Sequence, residues 1–313
     1  MQLLKAFSSL VFCSTLVLPA VASSNDKAQQ STDRPQVGWS TVVRGGAVYQ
    51  FDTDLDEGGS YSSGRYNIEV GQSYAWTRRD TATFALSYSL DSYDFSDGDP
   101  SGIAFGSPWE NIHTFSISTP LRMGVGNNWT AFLIPSIRST GESGAEFSDT
   151  ITGGGLTGIS YKFSDRLTIG PGIGAFTQLE ESASIFPVLI VNWKITDKLS
   201  LETGRGLAAT LGPGLTLNYK ATPKLLLGVG GRYEKLRFRL DKDGTVADGI
   251  GEESSFPLFA NATYNVNQKS SVSLVAGLET GGELKVENSK GHSIIEESSD
   301  PGVFTGITFK TRF

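Results

Sequence analysis

From residue 37 onward, apolar and polar residues alternate along most of the chain with a period of two. Successive side chains of a β-strand point to opposite faces, so this period predicts strands with one apolar and one polar face. The alternating segments fall near 37–51, 64–77, 81–95, 111–122, 129–138, 150–163, 166–178, 184–195, 199–209, 213–220, 224–240, 254–266, 271–285 and 300–313, fourteen in all. Six connections are tight and rich in turn formers: Arg78-Arg79-Asp80, Gly126-Asn127-Asn128, Ser164-Asp165-Arg166, Thr196-Asp197-Lys198, Ala221-Thr222-Pro223 and Asn267-Gln268-Lys269. They alternate with seven others, of which five are long (52–63, 96–110, 139–149, 241–253 and 286–299). Short turns at one end and long loops at the other, with an even strand number, predict an all-β fold: an up-and-down antiparallel transmembrane barrel of about fourteen strands. A soluble sandwich or solenoid gives no reason for that alternation. The segments around 199–220 are short and Gly-rich, and Arg205 shares the parity of Leu201 and Leu207. A bulge there, or a barrel of twelve strands, is the alternative.

The two faces read differently. One parity collects Ala131, Leu133 and Ile137, then Leu189 and Val191, Leu225, Leu227 and Val229, Leu258 and Ala260, and Leu274, Ala276 and Leu278. The other collects the charges Arg44, Arg65, Glu69, Arg138, Lys162, Glu202, Arg232, Glu234, Glu279, Lys310 and Arg312, with Lys220. A charge aimed at mid-bilayer lipid costs several kcal/mol (~2–4), whereas one facing a wet lumen costs little, so the polar parity is expected inside. Trp76, Trp129, Phe163, Trp193, Tyr219 and Tyr264 lie beside the short turns on the outward parity, as does Phe313. Rings with a polar edge favour a membrane–water interface, so these form an expected girdle at the short-turn rim.

The final segment, Pro301 to Phe313, alternates Val303, Thr305, Ile307, Phe309, Thr311 and Phe313 against Gly306, Thr308, Lys310 and Arg312; Phe304 interrupts the pattern. Ending on an aromatic residue, this strand resembles the closing strand of Gram-negative outer-membrane β-barrels, with Thr311 where a larger apolar residue is common. The resemblance implies an outer-membrane location, contact with lipid and lipopolysaccharide, and recognition of the last strand by the barrel assembly machinery. In size the chain is similar to monomeric fourteen-strand porins, and its later half also resembles uncharacterised outer-membrane barrel families. Long-chain fatty-acid transporters share the strand number but begin with a sizeable plug, where this chain has only a short polar segment.

The N-terminus fits export. Lys5, an apolar stretch from Ala6 to Leu18, and Ala20-Val21-Ala22 read as a signal peptide over residues 1–22. Residues 23–36 are polar and read as a flexible periplasmic lead-in to a barrel over 37–313. The single cysteine, Cys13, falls inside the leader, so the exported part has no thiol chemistry. The formal net charge is −7, which argues against nucleic acid as a partner.

Function is read from the lumen. Charges of both signs in a barrel too wide for side chains alone to fill suggest a channel or passive transporter for small solutes. The alternative is a structural or adhesion barrel whose lumen is filled by paired side chains. An outer-membrane lipid-modifying enzyme would need His113 or His292, the only histidines, and neither lies in a motif that such enzymes carry. No catalytic residue, cofactor or metal is assigned. Asp52, Asp54 and Asp56 mimic a calcium loop, but Glu57 stands where Gly is needed and Ser63 where a bidentate Glu is needed. Lys235, Arg237 and Arg239 would emerge just above the apolar band. Outward they would meet anionic headgroups; a bulge near Tyr233 would turn them inward.

Overall fold

The computed structural model describes residues 37–96, 107–205 and 213–313. Its strand segments are β1 (Gly38–Asp54), β2 (Ser60–Ala75), β3 (Thr81–Ser96), β4 (Asn111–Ser118), β5 (Leu121–Val125), β6 (Trp129–Glu142), β7 (Ile151–Lys162), β8 (Leu167–Gln178) and β9 (Glu181–Lys194). They continue with β10 (Leu199–Arg205), β11 (Pro213–Lys220), β12 (Leu225–Arg232), β13 (Glu234–Arg239), β14 (Ile250–Asn265), β15 (Ser270–Glu287), β16 (Ser293–Ser299) and β17 (Gly302–Arg312). Three pairs are the halves of one span: β4 with β5, β12 with β13, and β16 with β17. The sheet therefore has fourteen spans. It closes where β1 pairs with β17, from Val42 opposite Arg312 to Gln50 opposite Phe304. The short segments β10 and β11 are both present and pair from Leu199 opposite Tyr219 to Arg205 opposite Pro213, so the count is fourteen rather than twelve.

The interruptions have local causes. Pro120 separates β4 from β5 because its nitrogen has no proton to give the ladder, yet the register against β3 is the same on both sides. Asp300-Pro301 separates β16 from β17 in the same manner. Between β14 and β15 the register does shift, next to Gly281, whose φ of +59 a side chain would strain.

Outside, the barrel exposes an apolar band that includes Ile68, Leu86, Ile117, Leu133, Ile173, Leu189, Val229, Leu258, Leu274 and Ile307. So continuous an apolar exterior on a closed sheet is a lipid-facing surface. Inside, the polar parity is joined by three apolar clusters. Phe132, Ile134, Leu156, Phe176, Phe186 and Ile190 line the wall formed by β6 to β9. Gly174 admits them, since a Cβ there would lie 2.2 Å from the Phe186 ring and 2.4 Å from Leu156. Val48, Phe259, Val275 and Phe304 form the second cluster, so the residue that interrupts the last strand's pattern points inward.

The third cluster sits at the long-loop end, where the barrel narrows. β6 leaves β7 after Ser139 opposite Ile151 and bridges instead to β13, at Arg239 opposite Gly141. Leu55 opposite Ser299 continues the closing ladder of β1 in its own register. The β13–β6 bridge brings β13 across the interior, and Trp109, Phe238, Tyr61, Tyr93, Ile112, Leu240, Leu284 and Val286 pack together beneath it. Trp109 meets Phe238, Tyr93 and Phe95 edge-on at ring separations of 5.1, 5.8 and 5.6 Å. The loops expected at 52–63 and 286–299 are shorter because the ladders run on: β1 reaches Asp54 and β2 begins at Ser60, while β16 occupies Ser293–Ser299; most of 96–110 lies outside the described residues. Asp52 and Asp54 are thus strand residues.

Candidate functional site

Directly inside the narrowed end lies a buried charge cluster. Arg65, on β2, reaches across the interior to Glu234 on β13 (3.1 Å), Glu253 on β14 (2.7 Å) and Glu279 on β15 (3.2 Å). Arg232 pairs with Glu234 from the other side. Tyr93 donates its hydroxyl to Glu253 at 2.5 Å, and Ser255 donates to Glu279 at 2.6 Å. Asp91 faces Arg65 in register across β2 and β3 and is also buried. Charges this far from water hold only if paired and hydrogen-bonded, and the fork geometry of arginine lets one side chain serve three carboxylates.

Of the charges that the alternation places inside, Arg65, Arg232, Glu234 and Glu279 meet here. The others do not. Arg138 donates to Thr152 at 3.0 Å on the β6–β7 wall. Arg44 pairs with Glu69 at 3.0 Å, nearer the short-turn end. Lys162, Glu202, Lys220, Lys310 and Arg312 stand in that same end, where Lys220 and Lys310 are exposed. Glu253, Asp91 and Tyr93 were missed. The signal for them was parity: Glu253 continues the inward set of β14 through Ser255, and Asp91 continues Ser87 and Ser89 on β3.

Lys235, Arg237 and Arg239 follow neither expected course. The β12–β13 ladder against β14 has no bulge at Tyr233, which keeps its outward parity and packs on Phe256. Yet their face is covered, because the β8–β9 turn lies against it. Arg237 donates to the Leu179 carbonyl and pairs with Glu252 and Glu287, and Arg239 pairs with Glu180 at 2.7 Å. With Asp149, Gln178, Asp248 and Ser289, Arg239 and Glu180 line a surface cavity of about 510 Å³.

At the opposite end, Trp76, Trp129, Phe163, Trp193, Tyr219, Tyr264 and Phe313 are all exposed, Phe313 to 68%. Trp39 and Tyr74 extend the row, with ring centroids 4.9 Å apart. His113 lies on the exterior. Its Nδ1 is 2.9 Å from the Tyr88 hydroxyl and its Nε2 2.9 Å from Ser143, an arrangement that ties the β6–β7 loop to β4. The Ser143 amide donates to the Asn111 carbonyl and so is not available to an oxyanion. His292 closes a turn with Asn288.

No protein-family model matches the sequence, and no curated protein matches it. Similar solved structures include an outer membrane channel from Pseudomonas putida F1 (13% identity, covering 91% of this chain and 100% of that one, TM-score 0.44). Others are a FadL homologue from Pseudomonas aeruginosa (12%, 87% and 90%, 0.45) and Omp33 from Acinetobacter baumannii (10%, 88% and 98%, 0.41). At such identities the likeness is one of barrel architecture alone.

Proposed function

We propose that the protein is a Gram-negative outer-membrane channel or passive transporter for small solutes, held closed at its outer end in the conformation described. The observation that carries this reading is the asymmetry of the interior. The short-turn end places Arg44, Lys162, Lys220 and Lys310 on the inward parity, the last two exposed, while the long-loop end is sealed by the cluster around Trp109 and Phe238. A wide barrel built only for rigidity has no need of a charged vestibule. In this reading the short turns and the aromatic girdle with Phe313 lie at the periplasmic face, the leader is cleaved on export, residues 23–36 precede the barrel in the periplasm, and the protein acts as a monomer. The barrel assembly machinery would read the last strand, and lipopolysaccharide would surround the outer end.

The sealed outer end favours a second reading, a structural or adhesion barrel with a filled lumen. Liposome swelling separates the two. Proteoliposomes of the refolded protein should swell in small neutral solutes, more slowly as solute size rises. Swelling no faster than in empty liposomes would favour the filled barrel. No catalytic role is proposed for His113, whose contacts are those of a loop tether.

A further inference from the structure

We infer that the periplasmic vestibule is a binding site for small multivalent anions, such as solutes bearing carboxylate or phosphate groups. This deepens the channel reading by naming the charge of the solute, and it rests on that reading only for passage, not for binding. The argument is one of segregated charge. The chain as a whole is acidic, with a net charge of −7. Its inward-facing rim beside the short turns is basic. Lys162, Lys194, Lys220 and Arg312 each stand one residue inside a turn or the chain end, on the parity opposite the outward Phe163, Trp193, Tyr219 and Phe313. Lys310 and Arg44 form the next tier.

These last two are direct partners across the β1–β17 ladder. Like charges placed opposite each other in a ladder repel, so the pairing costs stability unless a counter-charge is present. Glu69 provides one, at 3.0 Å from Arg44. Among the described residues, the inward acids in this band are Glu69 and Glu202, against seven bases, since Arg122 on β5 shares the inward parity. The Asp165 carboxylate pairs with Lys162 at 2.6 Å from the solvent-exposed turn, where screening is strong. The surplus is therefore positive. It lines the inner face of the barrel's short-turn end, where Lys220 and Lys310 are exposed between low-dielectric walls, a geometry that focuses field and raises the local concentration of counter-ions. Toward the outer end the sign reverses, since Arg65 and Arg232 face Asp91, Glu234, Glu253 and Glu279. An anion drawn into the vestibule thus meets repulsion deeper in and is held at the basic tier.

Equilibrium binding of a trivalent fluorescent anion, 8-hydroxypyrene-1,3,6-trisulfonate, to the refolded protein in nonionic detergent tests this. Fluorescence anisotropy at low salt should show saturable binding that fades near 0.15 M salt, where the screening length is about 8 Å. The pair Lys220→Glu with Lys310→Glu should weaken binding about tenfold or more, a loss expected from reversing the focused field. The control pair Lys198→Glu with Lys224→Glu makes the same charge change in the turns and should weaken it less than about twofold because exposed charges are screened. A Lys220→Gln, Lys310→Gln pair covers the case in which charge reversal hinders folding and should lie between. No binding by the wild type, or equal losses from the inward and turn pairs, would overturn the proposal. The assay needs no passage through the barrel, so bound dye with an electrically silent barrel defeats the channel reading alone, and conduction without dye binding defeats the anion site alone.

Discussion

Arg65 decides more than any other single residue. It is the cation toward which Glu234, Glu253 and Glu279 all point, and it lies far from each of them in the chain. Removing one partner of a buried ion cluster is costly, because the charges left behind have neither water nor counter-charge. Arg65→Met should therefore lower stability by about 3–5 kcal/mol, read as a drop in the temperature at which the folded barrel loses its fast electrophoretic mobility. A variant as heat-resistant as the wild type would mean that the carboxylates are hydrated or repaired by another base. Part of this cluster was legible in the sequence. Arg65, Arg232, Glu234 and Glu279 follow from parity within the apolar band. Glu253 sits beyond that band, where both faces turn polar and alternation of hydrophobicity no longer marks a strand, so it read as loop.

At the scale of elements, the short turns were the most legible feature, because each carries its own chemistry. In the turn between β2 and β3, Asp80 accepts the Thr77 hydroxyl at 2.7 Å and the Gly124 amide at 2.7 Å. These bonds, the first foremost, hold its carboxyl below the usual carboxylate range. A lowered folded value means that the turn gains stability above the ordinary aspartate pKa of about 3.9 and loses it as pH falls through the folded value. Exchange of the Gly124 amide should therefore be slowed above that range and speed up in acid, beyond the intrinsic pH dependence. In Asp80→Ala the protection should be absent at every pH. Unchanged protection in that variant would show that the ladder alone secures the amide. The outer end was less legible, for a physical reason. The crossing of β13 onto β6 rests on one backbone bridge, and the segment 234–239 keeps a strand's parity whether it stays in the wall or leaves it. Trp109, in a polar stretch, and Phe238, alternating with Arg237 and Arg239 between Leu236 and Leu240, hint at an interior there.

For the molecule as a whole, a period of two, an even number of spans and the alternation of turn lengths suffice for a closed barrel with an apolar exterior. What they cannot supply is how full the interior is, since that depends on side chains meeting across the lumen from distant parts of the chain. Two ends of opposite character result. One carries exposed bases on its inward parity; the other is sealed by aromatic packing over a buried, acid-rich cluster. A channel with this interior opens by loosening the seal, and Phe238 is the fully buried ring at its centre. The most direct test is single-channel recording in planar bilayers of the refolded wild type beside Phe238→Ala. The account predicts discrete current steps in both, rare in the wild type and about tenfold or more frequent in the variant, as a seal weakened by at least about 1.4 kcal/mol would give. Silence from both proteins, each shown to be folded by its heat-modifiable mobility, would contradict the channel and leave a filled barrel in its place.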